Sequence, residues 1–360
     1  MHRKLISLLA VVLAVTSAVA AQSDKIDDYV RAEMKKQRIQ GLSLAVVRDG
    51  KIVKTEGYGL ANVELNVPAR PETVYKIGSV SKQFIATGAM LLIEDGKLAL
   101  TDHISKYLEG TPDTWKEITI RHVLTHTSGL VREAPGFNPL KVQADSDLIR
   151  TAFTVPLNFA PGAKWEYCNL GYFILAEIIT RVSGKPWGEF LEERVFKPAE
   201  MNATRTTTVS DIVPNRATGY FFKANLLQNA PEYLALRPSG AFLSTVLDLA
   251  KWDALLYTDR ILKRSTREEM WKPAADTGGK TDEGTSVQYG FGWFIGSSRG
   301  HRLVYHGGSL PGFRAHLLRY VDDKLTIVVL TNGDEARPEV IARGVAVFFL
   351  PDLTPSTQNR

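Results

Sequence analysis

Gly41-Leu42-Ser43-Leu44-Ala45-Val46-Val47, then Arg48-Asp49-Gly50, then Lys51-Ile52-Val53-Lys54-Thr55 is the stretch on which the fold turns. It reads as two short strands joined by a tight turn, since Asp-Gly between such runs is a strong local hairpin signal. A matching pair stands near the other end of the chain. Arg314 to Tyr320 and Lys324 to Leu330 flank Asp322-Asp323, and Leu325-Thr-Ile-Val-Val-Leu330 is apolar enough for a buried strand. Outside these pairs lie helical patterns. Gln22 to Gln37 places Ile26, Tyr29, Val30 and Met34 at three- and four-residue spacing, and a last helix has Pro338 in its first turn and Pro351 beyond its end.

The section between the β-rich ends is dominated by helical spacing. One helix begins near Leu170, aligns Phe173, Ile174, Ile178 and Val182, and stops at Ser183-Gly184. Another starts at Pro186 and runs through Phe190 and Leu191, and Ser265-Thr-Arg-Glu268 has capping-box spacing. The simplest arrangement is an α/β domain built from both chain ends, residues 21–100 and 240–350, with a mostly helical insertion at 101–239 and a loose polar tail at 351–360.

At 360 residues, 44% hydrophobic and 23% charged, the chain has enough apolar material for one large core or two of common size, which excludes a disordered class. A single cysteine excludes an internal disulfide and a cysteine-rich metal site. The net charge of +5 comes from Lys and Arg dispersed among acids, without a basic run, so nucleic acid is not an expected partner. The first twenty residues explain part of that charge. His2-Arg3-Lys4, an apolar run from Leu5 to Val15 and Ala18-Val19-Ala20 have the order of a secretory signal peptide, with an apolar run shorter than a membrane span. Cleavage after Ala20 would remove Arg3 and Lys4. An exported protein, periplasmic or extracellular and without a membrane anchor once cut, is the expectation.

Three short stretches could carry chemistry. The first is Ser79-Val80-Ser81-Lys82, at the apparent start of a helix running through Phe84, Ile85, Leu92 and Ile93 to Gly96. Residues three apart share a helix face, so Ser79 and Lys82 point the same way, whereas Ser81 points about 100° elsewhere. A serine hydroxyl is inert until a base activates it, and a lysine serves when desolvation or a nearby cation keeps it neutral. Ser79 would also feel the positive end of the helix dipole. The alternative is that Ser79 only caps the helix.

The second stretch is Pro161-Gly-Ala-Lys-Trp165-Glu-Tyr167-Cys168-Asn169. It places Tyr167 and Asn169 in a short connection before a helix, where a phenol could relay a proton and an amide could orient a lysine or a carbonyl. Equally, Tyr167 could be a half-buried aromatic and Asn169 an N-cap. The third stretch is Tyr305-His306-Gly307-Gly308-Ser309. Successive glycines let a substrate lie against the backbone, and a strand edge there could bind an oxyanion or an extended substrate. A glycine turn beside a structural histidine is the plainer alternative.

Taken together and in this order, the three stretches resemble the serine β-lactamase and penicillin-binding-protein family, especially its class C-like and esterase branches. That family carries Ser-x-x-Lys, then Tyr-x-Asn, then Lys-Thr-Gly or a variant such as His-x-Gly. Leu124-Thr-His126-Thr-Ser-Gly-Leu130, Pro238-Ser-Gly240 and Tyr289-Gly-Phe-Gly-Trp293 look like its framework, and the resemblance runs from Ile39 to Asn332. It implies an antiparallel sheet with helices on both faces, a mostly helical domain, and a site between them. It also implies Ser79 as the acylated nucleophile, Lys82 as its proton partner and Tyr167 as general base and acid. Asn169 would lie near Lys82, and the backbone N–H groups of Ser79 and Ser309 would form the oxyanion hole. No metal or organic cofactor is implied.

Two departures from the family bear on substrate. Where Lys-Thr-Gly would grip a substrate carboxylate, His306 is an imidazole that is largely neutral near pH 7 and Gly307 has no hydroxyl, although Arg314 stands close enough in sequence to compensate. Small ester or amide substrates, peptide-like ones included, are therefore expected ahead of β-lactams. A β-lactamase, a D-alanyl-D-alanine carboxypeptidase and an acylated sensor without turnover remain as alternatives. Cys168, in the place of a small residue, is expected to be a packed thiol. His122 and His126 stand four apart on an expected helix, a spacing that could seat a metal, but no third ligand accompanies them.

Overall fold

The structure is a computed structural model that describes residues 24–138, 140–208, 210–232, 238–281 and 283–354. The signal-like stretch and the last six residues of the tail lie outside the described residues.

The opening segment forms helix α1 (24–37), β1 (Gly41–Arg48), β2 (Lys51–Asn62), β3 (Val67–Pro68), β4 (Tyr75–Lys76) and α2 (Lys82–Glu94). In the turn between β1 and β2, Asp49 and Gly50 both adopt positive φ, 51° and 71°. That backbone matches strand twist and suits Asp-Gly. The middle segment contributes α3 (Ile120–Leu124), α4 (Asp145–Thr151), α5 (Asn169–Ser183), α6 (Trp187–Leu191) and a hairpin of β5 (Tyr220–Lys223) with β6 (Leu226–Asn229). The rest supplies β7 (Leu243–Ser244), α7 (Val246–Leu255), α8 (Arg264–Met270), β8 (Ala275–Lys280), β9 (Ser286–Tyr289), β10 (Phe294–Ser298), β11 (His301–Leu310), β12 (Phe313–Tyr320), β13 (Leu325–Thr331) and α9 (Pro338–Val347).

Among the described residues, nine strands form one antiparallel sheet in the order β3-β2-β1-β13-β12-β11-β10-β9-β8. The two chain ends meet at its centre, where β1 pairs β13 from Leu42↔Thr331 to Arg48↔Leu325. Both strands are apolar on both faces, and strand alternation divides their side chains between two layers. Leu44, Val46, Ile327 and Val329 pack under α1 and α9 with Val30, Ile341 and Val345. Ala45, Val47, Val328 and Leu330 face the other way, toward α2, α5 and α7, with Phe84, Ile174 and Leu249. Helices on each side of a central antiparallel sheet give a three-layer mixed fold, as expected.

On the second side, α7 is locked to the sheet by charge. Arg319 on β12 donates from Nε to Asp253 of α7 at 2.6 Å, and Thr326 of β13 donates to the same carboxylate at 2.7 Å. The pair is 0% and 1% exposed, with the guanidinium over the rings of Trp271 and Tyr257.

Several local expectations are corrected. The Ser265–Glu268 capping box is absent, because α8 begins at Arg264, two residues before the Thr266 start that a Ser265 cap requires, behind an uncapped Lys263. Ser265 thus falls inside the first turn, and Glu268 pairs with Arg264 at 2.7 Å. A capping box does occur at Thr119–His122. The helix expected to begin at Ser79 begins at Lys82, preceded by a 3₁₀ turn over Gly78–Ser81. The cap of α5 is Cys168, whose Sγ accepts the Gly171 N–H, not Asn169. His122 and His126 do not share a helix face, since α3 ends at Leu124 and His126 has a left-handed φ of 60°. The tail is not loose throughout: Pro351–Leu353 forms a 3₁₀ turn, Leu353 is buried, and Asp352 accepts from His301 at 2.9 Å.

Candidate active site

The 3₁₀ turn at Gly78–Ser81 sits where α2 enters from β4, and its three-residue period stacks Ser79 directly over Lys82. The Lys82 ammonium lies 3.1 Å from Ser79 Oγ. Its side chain is fully buried, a costly place for a lysine unless its donors are used. They are used: Nζ donates to Asn169 Oδ1 at 2.7 Å and to the Ser239 carbonyl at 3.0 Å. Ser81, by contrast, is buried and accepts the Phe242 N–H at 3.2 Å, which makes it part of the framework.

Asn169 opens α5, and the loop after Leu130 holds it. The Arg132 carbonyl accepts the N–H groups of Asn169 and Leu170 at 2.9 and 3.1 Å, satisfying two donors at the helix start. The Asn169 amide donates to Glu133, leaving Oδ1 for Lys82. Tyr167 precedes this helix by two residues, with Lys82 Nζ 4.7 Å from its ring centroid. Its hydroxyl is buried and has no hydrogen-bond partner by strict geometry, yet Ser79 is near enough to pull the phenol pKa down. Burial outweighs that pull, with Arg132 also lowering, so the phenol stays above its usual range and protonated at neutral pH. Cys168 is buried, donates to the Val131 carbonyl at 3.3 Å, and is pushed up to about 12, chiefly by burial. It is a packed thiol that caps a helix.

The opposite wall is the edge of β11. Strand β10 pairs β11 only from Ser298↔His301 to Phe294↔Tyr305, so residues 306–310 extend past β10 with that edge uncovered. His306 is 1% exposed, and its pKa is lowered to about 3, first by burial and then by the Lys82 charge. Nδ1 lies 2.6 Å from the Gly307 carbonyl, which can only accept, so the proton sits on Nδ1 and Nε2 accepts from the Tyr289 hydroxyl at 3.2 Å. This neutral imidazole cannot stand in for a lysine against a carboxylate. Arg314 lines the same cleft, but its Nη1 donates to Asp334 at 2.9 Å and to the carbonyls of Leu310 and Phe313. The expected compensation by Arg314 is thus largely used up within the fold.

Gly308 and Gly307 differ in what they permit. A Cβ at Gly308 would lie 1.9 Å from the Ile77 carbonyl, so the bare backbone lets β11 close on the turn that carries Ser79. A Cβ at Gly307 would meet nothing closer than 3.5 Å, ordinary contact. Gly308→Ala is therefore expected to push the strand off the turn and lose most activity and about 1–3 kcal/mol of stability, whereas Gly307→Ala folds as the parent does. Equal denaturant midpoints for the two variants would contradict this account.

Ser79, Tyr167, His306, Gly307, Gly308 and Ser309 line one open cleft of about 580 Å³. The structure thus gathers them from distant parts of the chain, with Lys82 and Asn169 directly beneath. Sequence reasoning gave no site role to Arg132, Glu133, Trp165 or Phe294, and placed Tyr289 only in the framework. Aromatic residues stack the site together, with His126 4.4 Å from the Tyr167 ring and 4.6 Å from that of Tyr289. Trp165 and Phe294 offered no signal beyond being aromatic, and Arg132-Glu133 none beyond charge.

Residues 26–349 match the Beta-lactamase family model, and the chain belongs to that family of serine hydrolases. Penicillin-binding protein 4* of Bacillus subtilis is 30% identical over 322 residues, covering 84% of this chain and 70% of that protein. The structure of the octameric penicillin-binding protein homologue from Pyrococcus abyssi is similar at a TM-score of 0.83 and 28% identity, covering 91% of this chain and 77% of the other. The D-amino acid amidase from Ochrobactrum anthropi SV3 has the same fold, with a TM-score of 0.75, 24% identity and coverage of 91% and 98%.

Proposed function

We propose that this protein is a serine hydrolase that cleaves ester or amide bonds of small or peptide-like substrates through an acyl-enzyme on Ser79. The observation that carries the reading is the buried Lys82, 3.1 Å from Ser79 Oγ and held in place by Asn169 Oδ1 and the Ser239 carbonyl. Nζ donates to all three oxygens at rest, and once it gives up one proton it keeps the bonds to Asn169 and Ser239 and turns a lone pair to the Ser79 hydroxyl. Ser79 Oγ then attacks the substrate carbonyl as its proton passes to Lys82. The N–H groups of Ser79 and Ser309 stabilise the oxyanion. Tyr167, protonated at rest, gives its proton to the leaving ester oxygen or amide nitrogen and recovers one through Lys82. Water reverses these steps to release the acid.

The cleft supports esters and amides ahead of β-lactams. His306 is neutral, Gly307 has no hydroxyl, and Arg314 is paired with Asp334, so a β-lactam carboxylate finds no lysine-threonine grip on β11. Export to the periplasm or medium is part of the proposal and is supported by the order of the first twenty residues.

The test is a panel of short-chain nitrophenyl esters, D-amino-acid amides, D-alanyl peptides and a chromogenic cephalosporin, each followed by intact-protein mass spectrometry. Turnover of esters or amides is expected to exceed that of the cephalosporin. A stable adduct without turnover on any substrate would favour a sensor, and failure to react with all of them would remove the proposal.

A further inference from the structure

The cleft that holds Ser79 is walled by several cationic side chains, and their partners separate them. Arg314 is neutralised by Asp334, and Arg337 donates to Glu339 at 3.1 Å. His306 and His316 are buried and uncharged, each held at about 3 by desolvation. Arg132 differs from all of these. Among the described residues lining the cleft, it is the arginine with no carboxylate in salt-bridge contact, and it is exposed. Its backbone is not free to wander, because its carbonyl accepts the two N–H groups at the start of α5. Its guanidinium carbon lies 5.2 Å from the centroid of the Tyr167 ring, in the cleft that Ser79 also lines. A guanidinium fork is built to grip a planar carboxylate with paired hydrogen bonds.

From this placement we infer that Arg132 is a specificity residue that selects substrates bearing a carboxylate near the scissile bond, from the wall opposite β11. The inference rests on the acyl-enzyme reading of the site and narrows its substrate class to anionic esters or amides. With His306 neutral and Arg314 paired, the anion is held from the Arg132 side of the cleft and not from β11. The carboxylate can belong to the acyl part or to the leaving group, and the two are separated by experiment.

The test compares matched pairs on the full chain. For the acyl side, mono-4-nitrophenyl succinate is compared with 4-nitrophenyl butyrate, which has the same leaving group. For the leaving side, 3-carboxyphenyl acetate is compared with phenyl acetate. After subtraction of each ester's uncatalysed rate in the same buffer, which for the succinate includes displacement of nitrophenolate by its own carboxylate, and scaling to its reactivity toward hydroxide, the parent protein is expected to favour the anionic member of one pair about ten-fold in kcat/KM, a margin suited to a charge-assisted contact in an open cleft. Arg132→Gln should erase that preference and Arg132→Glu should invert it, and added salt should shrink it in the parent.

A purely electrostatic influence on Tyr167 would lower both members of a pair equally and leave their ratio unchanged, which would overturn the inference. A parent that hydrolyses the neutral esters with no anionic preference in either pair would overturn it as well, while leaving the hydrolase reading intact. A parent that hydrolyses none of the four fails at the earlier step.

Discussion

Ser79→Ala is expected to lower kcat/KM for activated esters at least about 10³-fold, leaving only what the oxyanion donors and substrate binding supply. The reason is specific to the local geometry. The 3₁₀ turn places Ser79 Oγ 3.1 Å from a buried amine that can take its proton. Ser81 cannot replace it, since its Oγ faces inward and accepts the Phe242 N–H. The Cys168 thiol, within reach of suspicion on sequence grounds, is buried and resists ionisation. A fluorophosphonate should label the parent at Ser79 alone, as peptide mapping would show. Labelling of Ser81 or Cys168, or retained turnover in Ser79→Ala, would refute the site. The urea midpoint should barely move, because Ser79 is only partly buried and Lys82 keeps its bonds to Asn169 and the Ser239 carbonyl.

The largest expected effect on stability belongs to a residue far from the chemistry. Asp253→Ala would leave the Arg319 guanidinium fully buried and without its counter-charge, for a loss of about 3–5 kcal/mol. That is a large part of the total stability of an ordinary domain. The double variant Asp253→Ala/Arg319→Met removes both charges and should recover much of the loss, since a matched apolar replacement avoids the desolvation cost. Urea unfolding monitored by tryptophan fluorescence is the measurement, with Trp252 beside the pair in α7. A double variant as unstable as the single one would show that α7 depends on shape at this position more than on charge.

The parts of the fold that were legible were those governed by local backbone chemistry or by periodicity. Asp49-Gly50 announced its hairpin because few other residues tolerate two consecutive positive φ angles. The largely apolar run of β13 announced a buried strand, and the structure covers it with α1 and α9 on one side and α7 on the other. The parts that misled were those where one residue of register matters. A Ser-x-x-Glu pattern at 265–268 marks a capping box only if the helix starts after the serine, and α8 starts before it. His122 and His126 shared a face only while the helix was assumed to continue beyond Leu124.

The same distinction applies to the site. The order of Ser79-x-x-Lys82, Tyr167-x-Asn169 and His306-x-Gly308 determined the family, because residue type and spacing are properties of the chain alone. It also determined which serine stands over the lysine, since helical geometry decides that within three residues. What the tertiary structure alone decided is the charge each group carries and the partner it keeps. His306 is neutral because it is buried beside Lys82, Arg314 is spent because Asp334 folds back onto it, and Arg132, among the described residues, has no carboxylate in salt-bridge contact. Ionisation depends on desolvation and on charges brought in from distant parts of the chain, and a linear sequence records neither until the chain has folded.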